Sequence, residues 1–475
     1  MKRDMRDMRD MRDIFDQISP LDHRYYKSNQ DLMDKVSAFF SENAAVRYQL
    51  QVETALAQGL EEAGVCPIGT AAGIEKACAA IDPDDVYQEE EKTHHNIRAL
   101  TNCIARRVSE HIRPYIHLTA TSVDILDTAN ALRFRDAHQK LLRPMMLELE
   151  RVLIDLARRE KDTVQIGRTH GQHAVPITFG FAVAEYVARL GERITYLDHS
   201  AAQLKGKMAG AVGAYNAAAL IFDDPDTFEK SVLARLELQP ATHSTQIVAP
   251  EFLLDYLHGV VSAFGVLANL ADDFRNLQRS EIAEISEAFS ATQVGSSTMP
   301  HKRNPWNFEH VKSLWKSFTP RIMTVYMDQI SEHQRDLTNS ASGRFAPELV
   351  TGFILALDRT TRVLRKLTVD SEQMRDNAQQ SSGRFVAEPL YICLAAAGHP
   401  GAHEIVRKMT LEADQSGRSL KEIAQQEPGL AKYLSAISER GSAALENPLD
   451  YLGIASQKTE AVCAYWEEQL FRKDD

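Results

Sequence analysis

Cysteine is scarce in this 475-residue sequence and follows no pattern: Cys66, Cys78, Cys103, Cys393 and Cys463 are odd in number and form no C-x-x-C pair. That argues against a disulfide framework or a zinc site and for a reducing compartment. No uninterrupted apolar run is long enough to cross a bilayer, and no signal-peptide pattern opens the chain. A soluble, cytoplasmic protein without a membrane partner is therefore expected. Positive charge is not in excess either. The net charge of −12 disfavours nucleic acid as a partner, because phosphate backbones select basic surfaces. It leaves room for a small anion in a locally basic pocket. No H-E-x-x-H, P-loop or G-x-G-x-x-G occurs, so no metal or organic cofactor is expected.

What is present is helix. With 44% apolar residues the chain can bury a sizeable core, and its length suggests two or three folding units. The first dozen residues repeat a Met-Arg-Asp-like triplet; a period of three builds no buried face, so residues 1–13 read as a solvated tail. Met1, Met5, Met8 and Met11 are all candidate starts. From Glu251, apolar residues fall at Leu253, Leu257, Val260, Phe264, Leu267, Ala271 and Phe274, the three- and four-residue steps of one helix stripe. Equivalent stripes run through Leu142–Leu156, Val183–Leu197, Val311–Tyr326 and Leu349–Leu367. Five such helices between about residues 120 and 370 predict a long bundle, and no stretch there alternates convincingly with period two. The expectation is an all-α fold of three domains: 14–117, a central bundle over 118–368, and 369–475.

Three polar segments interrupt these helices. Thr121-Ser122-Val123-Asp124, with His117 just before it, reads as a helix N-cap, and a helix N-terminus is also an anion site. Gly167 to Pro176 places His170 beside Arg168, Thr169 and Gln172, where a core would not tolerate it unpaired; His173 reads as an ordinary surface or structural histidine. Gly295-Ser296-Ser297-Thr298-Met299-Pro300-His301-Lys302-Arg303-Asn304-Pro305 cannot hold a helix well, because its hydroxyls compete for backbone hydrogen bonds. It reads as a loop whose N–H groups, with Lys302 and Arg303, could surround an anion. The bland alternative is a plain connection ending in Pro305 at the first turn of the next helix.

This last segment resembles the signature loop of the fumarase/aspartase superfamily, G-S-S-x-M-P-x-K-x-N, and all three segments occur in that family's order. Its His301 to Asn304 version is similar to that of adenylosuccinate lyases and the related carboxymuconate cycloisomerases. Ile18 to Tyr25 resembles the amino-terminal Arg-Tyr motif of adenylosuccinate lyases, and Gln334 to Ser340, followed by Arg344, their phosphate- and nucleotide-binding stretch. Thr93-His94-His95-Asn96 resembles the family's T-x-H-D motif, with Asn96 where the aspartate usually stands.

The resemblance implies a cofactor-free lyase acting on a small molecule, a succinylated purine nucleotide or its precursor, by anti elimination of fumarate. It implies Ser296 as base, with Ser297 the alternative, and His170 as acid. Lys302, Asn304, Thr121, Ser122 and Gln246 would hold the succinyl carboxylates, and Arg24, Tyr25, Arg335, Ser340 and Arg344 the nucleotide. His95 and Asn96 would also face substrate, with His117 and Thr169 in support. A homotetramer whose sites are shared between subunits is implied as well. Competing readings are a cycloisomerase on the same scaffold and a non-catalytic structural protein. The nucleotide-type arginines speak against the first, and the joint presence of Ser296, His170, Lys302 and Asn304 against the second.

Overall fold

The computed structural model describes residues 13–289, 295–299 and 301–472. The triplet tail, apart from Asp13, lies outside them, as does Pro300 within the third polar segment. Within the described residues the chain is predominantly helical, with three two-stranded sheets. The all-α expectation and the long-helix bundle pattern hold.

Most residues of the predicted stripes lie on buried helix faces. In the helix Phe179–Ala202, Val183, Val187, Leu190, Ile194 and Leu197 are wholly buried. Leu257, Val260, Phe264, Leu267, Ala271 and Phe274 do the same in Glu251–Leu277. This helix is long and apolar enough, by length and composition, to cross a membrane. Most of its apolar stretch is buried inside the protein, as expected of a core helix. Arg143–Arg159 buries Met146, Leu149, Leu153 and Leu156 and carries Pro144 at its second position. A π-helical turn, His138–Leu142, joins it to the preceding helix Ser122–Ala137.

Two details differ from the sequence reading. The stripe from Val311 to Tyr326 is not one helix: Trp306–Phe318 ends in a tight turn at Thr319–Arg321, followed by a short helix Ile322–Met327. Pro320, which lacks an N–H, sits in that break, and Tyr326 is exposed. The second polar segment lies in a β-hairpin, strand β1 (Val164–Thr169) pairing antiparallel with β2 (Gln172–Thr178). A bulge between Ile166 and Arg168 interrupts its register, which hides the period-two pattern.

The chain divides into two compact units. One comprises 1–145, 195–262 and 318–354; the other comprises 146–194, 263–317 and 355–475.

Candidate functional site

In the first unit the sequence-predicted residues gather around the start of the Ser122–Ala137 helix. The Thr121 N–H donates to Asp124 Oδ2 at 2.7 Å. Asp124 does more than cap the helix. It is wholly buried, pairs with the equally buried Lys207 ammonium, and accepts from the Ala209 and Gly210 N–H groups at 3.1 to 3.3 Å. Buried charges persist only when paired and hydrogen-bonded, so this network pins residues 207–210 to the helix. Thr128, one turn further on, exchanges hydrogen bonds with the Lys207 backbone at 3.0 Å in both directions. Beyond it the chain turns at Gly210 (φ +78°) and Gly213 (φ +76°). A Cβ on Gly213 would collide with the Ser244 carbonyl, so only glycine lets this turn lie flush against the loop carrying Gln246. Sequence reasoning missed this segment. The available signal was three glycines, Gly206, Gly210 and Gly213, in a stretch with no helix stripe.

His95 caps the helix Asn96–Ala105, its Nδ1 accepting from the Arg98 N–H at 3.2 Å. That nitrogen therefore carries no proton, and the neutral ring holds its proton on Nε2, which lies 3.4 Å from Ser122 Oγ. The fold thus brings two predicted residues together. Asn96 is exposed, and its Oδ1 accepts from the Ile97 N–H at 2.7 Å. His117, in a left-handed conformation (φ +58°), meets the buried Glu53 carboxylate at 2.7 Å. Burial alone would lower its pKa, but the Glu53 charge and hydrogen bond outweigh it and raise the pKa above the ordinary value. His117 thereby favours the cation near Thr121.

Gln246 is tied to the nucleotide-type stretch, its N–H donating to the Gln334 carbonyl at 3.3 Å. Asp336 orders that stretch by accepting from the Thr338 hydroxyl at 2.6 Å and from the Thr338 and Glu332 N–H groups at 2.9 Å. These bonds, the Thr338 hydroxyl first, pull its pKa down to about 2. Arg335 Nη1 is buried and has no hydrogen-bond partner among the described residues. Tyr25 is half-buried; Arg24, Ser340 and Arg344 are exposed. Arg24 and Arg344 form no ion pair among the described residues.

In the second unit, His170 and Gly171 form the two-residue turn of the hairpin, with φ of +54° and +72°. Positive φ at both positions matches the strand twist, but it is strained for a histidine. Strain of this kind concentrates at functional sites. His170 and the adjacent Thr169 are exposed at the tip, while Arg168 and His173 on either side are held by side-chain hydrogen bonds. Arg168 grips the buried Glu284 with two hydrogen bonds of 2.5 and 3.2 Å. Gln165 and Asn377 complete the Glu284 shell at 2.7 and 3.0 Å. His173 is held by Ser381 Oγ at 2.6 Å.

The third segment closes on itself. Asn304 Nδ2 donates to the Gly295 carbonyl at 3.0 Å, and a Cβ on Gly295 would strike the Lys302 carbonyl. Ser296 Oγ accepts from the Met299 N–H at 3.1 Å and more weakly from Thr298 at 3.4 Å. Donors converging on a hydroxyl oxygen favour its deprotonated form. Ser297, His301, Lys302 and Arg303 are exposed. The N-terminus of the following helix is not free to bind a ligand, since the buried Glu287 accepts from the N–H groups of Asn307 and Phe308 at 3.0 to 3.2 Å. Glu287 was another residue that sequence reading missed. Among the described residues no cluster of three His, Cys, Asp or Glu side chains could hold a metal ion.

A family model described as lyase matches residues 24–316, and one described as adenylosuccinate lyase C-terminal matches residues 331–437. Over 460 residues the chain is 34% identical to the adenylosuccinate lyase of Pyrococcus abyssi, covering 95% of this chain and 98% of that one. It is 35% identical to the adenylosuccinate lyase of Pyrococcus horikoshii, again over 95% of this chain and 98% of that one. The chain belongs to the adenylosuccinate lyase family. It is accordingly a lyase. Solved structures similar to this family member in fold include the 3-carboxy-cis,cis-muconate lactonizing enzyme from Pseudomonas putida. That match has a TM-score of 0.78 and 24% identity, over 92% of this chain and 97% of that one. A fumarate lyase from Mesorhizobium sp. BNC1 matches with the same score and identity, over 91% and 97% of the two chains. At that identity both establish the fold alone.

Proposed function

We propose that this protein eliminates fumarate from adenylosuccinate to give AMP, and from the succinylaminoimidazole carboxamide ribotide, in purine nucleotide biosynthesis. The observation that carries this reading is the family match along nearly the whole chain. Its C-terminal part includes Arg335, Ser340 and Arg344, the residues assigned to the nucleotide. Ser296, as its alkoxide, takes the proton from the carbon next to a succinyl carboxylate. The electron pair forms the fumarate double bond as the carbon–nitrogen bond breaks, and His170 protonates the departing nitrogen. Two N–H donors at Ser296 Oγ and an accessible His170 support these roles. Lys302, Asn304, Thr121, Ser122 and Gln246 bind the carboxylates, where cationic and amide donors stabilise the charge that develops. His117, biased toward the cation, adds to that field. His95 and Asn96 line the same region, Arg24 and Tyr25 hold the nucleotide, and Thr169 orients His170.

The three-domain division, the cytoplasmic location and a homotetramer with shared sites belong to this reading. Exposed Met323, Met327, Ile330 and Phe345 support the oligomer, since apolar surface of this kind marks interaction sites. The test is an ultraviolet assay of purified protein with adenylosuccinate, whose cleavage changes the purine chromophore. Ser296→Ala and His170→Ala should each fold and lose turnover by about a hundredfold or more. Turnover of a carboxymuconate but not of adenylosuccinate would replace this reading with the cycloisomerase one.

A further inference from the structure

Asp127 links three of the segments described above, and no reading so far has used it. It lies one helical turn beyond Asp124 on the Ser122–Ala137 helix. Its Oδ2 accepts from the Val248 N–H at 2.9 Å, two residues past Gln246. Gln246 is bonded in turn to Gln334, the neighbour of Arg335. The charged groups acting on Asp127 are Lys207, Arg335 and, on its own helix, Asp124. Lys207 is already neutralised by Asp124, whereas Arg335 keeps a buried nitrogen without a hydrogen-bond partner among the described residues.

We propose that Asp127 is a positioning residue. It holds the Gln246–Val248 segment in place and supplies the counter-charge that Arg335 exchanges for a ligand anion. The proposal rests on the reading above for the identity of that ligand, a nucleotide phosphate. Asp127 and Arg335 form no ion pair among the described residues, but their charges act on each other, so a dianion arriving at Arg335 would also feel the Asp127 carboxylate. The conflict is relieved when Asp127 takes up a proton, and its carboxyl is suited to do so. Burial has pushed its pKa up to about 6, with the Val248 hydrogen bond, Lys207 and Arg335 opposing and Asp124 assisting. Anion binding should therefore consume protons near neutral pH.

Sulfate, a dianion throughout the working range, is the probe. In calorimetry at pH 7 in two buffers of different ionisation heat, wild type should take up several tenths of a proton per sulfate bound. Asp127→Asn, which keeps an acceptor for the Val248 N–H, should take up markedly less. From pH 6 to 8 sulfate affinity should fall at least about fivefold more in wild type than in Asp127→Asn. Every other titrating group is the same in both proteins, so the difference isolates Asp127. With adenylosuccinate, Asp127→Ala should raise KM by about tenfold or more with a smaller change in kcat, and Asp127→Asn should recover most of that loss. Equal proton uptake in wild type and Asp127→Asn, no sulfate binding to wild type at pH 6, or an unchanged KM in Asp127→Ala overturns the proposal. Failure of wild type to cleave adenylosuccinate counts against the purine reading alone, because the sulfate comparison decides the role of Asp127 independently.

Discussion

Replacing Glu150 with methionine should stabilise the protein, and increasingly so as the pH rises. Glu150 lies on the Arg143–Arg159 helix among Met146, Leu149, Leu153 and Ile154, is wholly buried, and has no hydrogen-bond partner on either carboxyl oxygen among the described residues. Burial, with no compensating charge, drives its pKa well above the ordinary value, so the folded protein keeps it neutral. Unfolded, the same carboxyl has a pKa of about 4.3 and ionises freely. The folded state therefore binds a proton that the unfolded state releases. Stability is unaffected below about pH 4.3 and declines by about 1.4 kcal/mol per pH unit above it, until the raised native pKa is reached. The accumulated cost therefore grows with pH up to that point. Methionine has a similar length and no charge, and removes that cost along with two unsatisfied oxygens. At about 2.1 cal/mol/K per residue, a 475-residue chain has an unfolding entropy near 1 kcal/mol/K, so the gain in Tm should grow by roughly 1.4 °C per pH unit over that range. Scanning calorimetry at a fixed rate from pH 5 to 8 reads the effect. A destabilised variant at pH 7, or a gain that does not change with pH, would refute the reasoning.

Two further outcomes follow from the site. Gly213→Ala forces a side chain into a φ of +76° and against the Ser244 carbonyl, and should cost roughly 2 kcal/mol or more and raise KM through Gln246; wild-type Tm and KM would show that the turn does not position that loop. Arg335→Ala should weaken adenylosuccinate binding by on the order of tenfold while affecting phosphate-free succinyladenosine far less, since a charge-assisted bond to phosphate exceeds a surface ion pair. Equal losses for both ligands in calorimetry would remove Arg335 from the phosphate site.

The long helices were legible because each has one buried face. Val183, Val187, Leu190, Ile194 and Leu197 repeat at steps of three and four, and all five are wholly buried. Periodicity failed where geometry departs from a regular element. Gly167 in the hairpin bulge lies flush against the Val175 carbonyl, so Ile166 and Arg168 do not alternate in the way a flat strand would show. Periodicity also cannot register an exception to itself. Glu150 occupies a buried position of a helix whose other buried positions are mostly apolar, and a polar letter there reads as solvent-facing.

Legibility of the candidate site divides along a different line. Ser296, His170, Lys302 and Asn304 stand in short runs whose local chemistry is visible: hydroxyls that break a helix, a histidine among polar neighbours, a proline that starts the next turn. The groups that hold such runs in place are buried charges, and their partners are remote. Asp124 meets Lys207 across 83 residues, Glu53 meets His117 across 64, Asp127 meets Val248 across 121, and Glu284 meets Arg168 across 116. A lone aspartate or lysine carries no mark of whether it will be solvated or paired, since either is acceptable in water and only pairing is acceptable in a core. The chain must fold before the distinction exists. Candidate site residues can therefore be read from neighbours in sequence, whereas the buried charges that anchor their segments are defined by contacts between elements. Asp127 is the sharpest case, a polar position on a helix whose consequence depends on a backbone N–H 121 residues away.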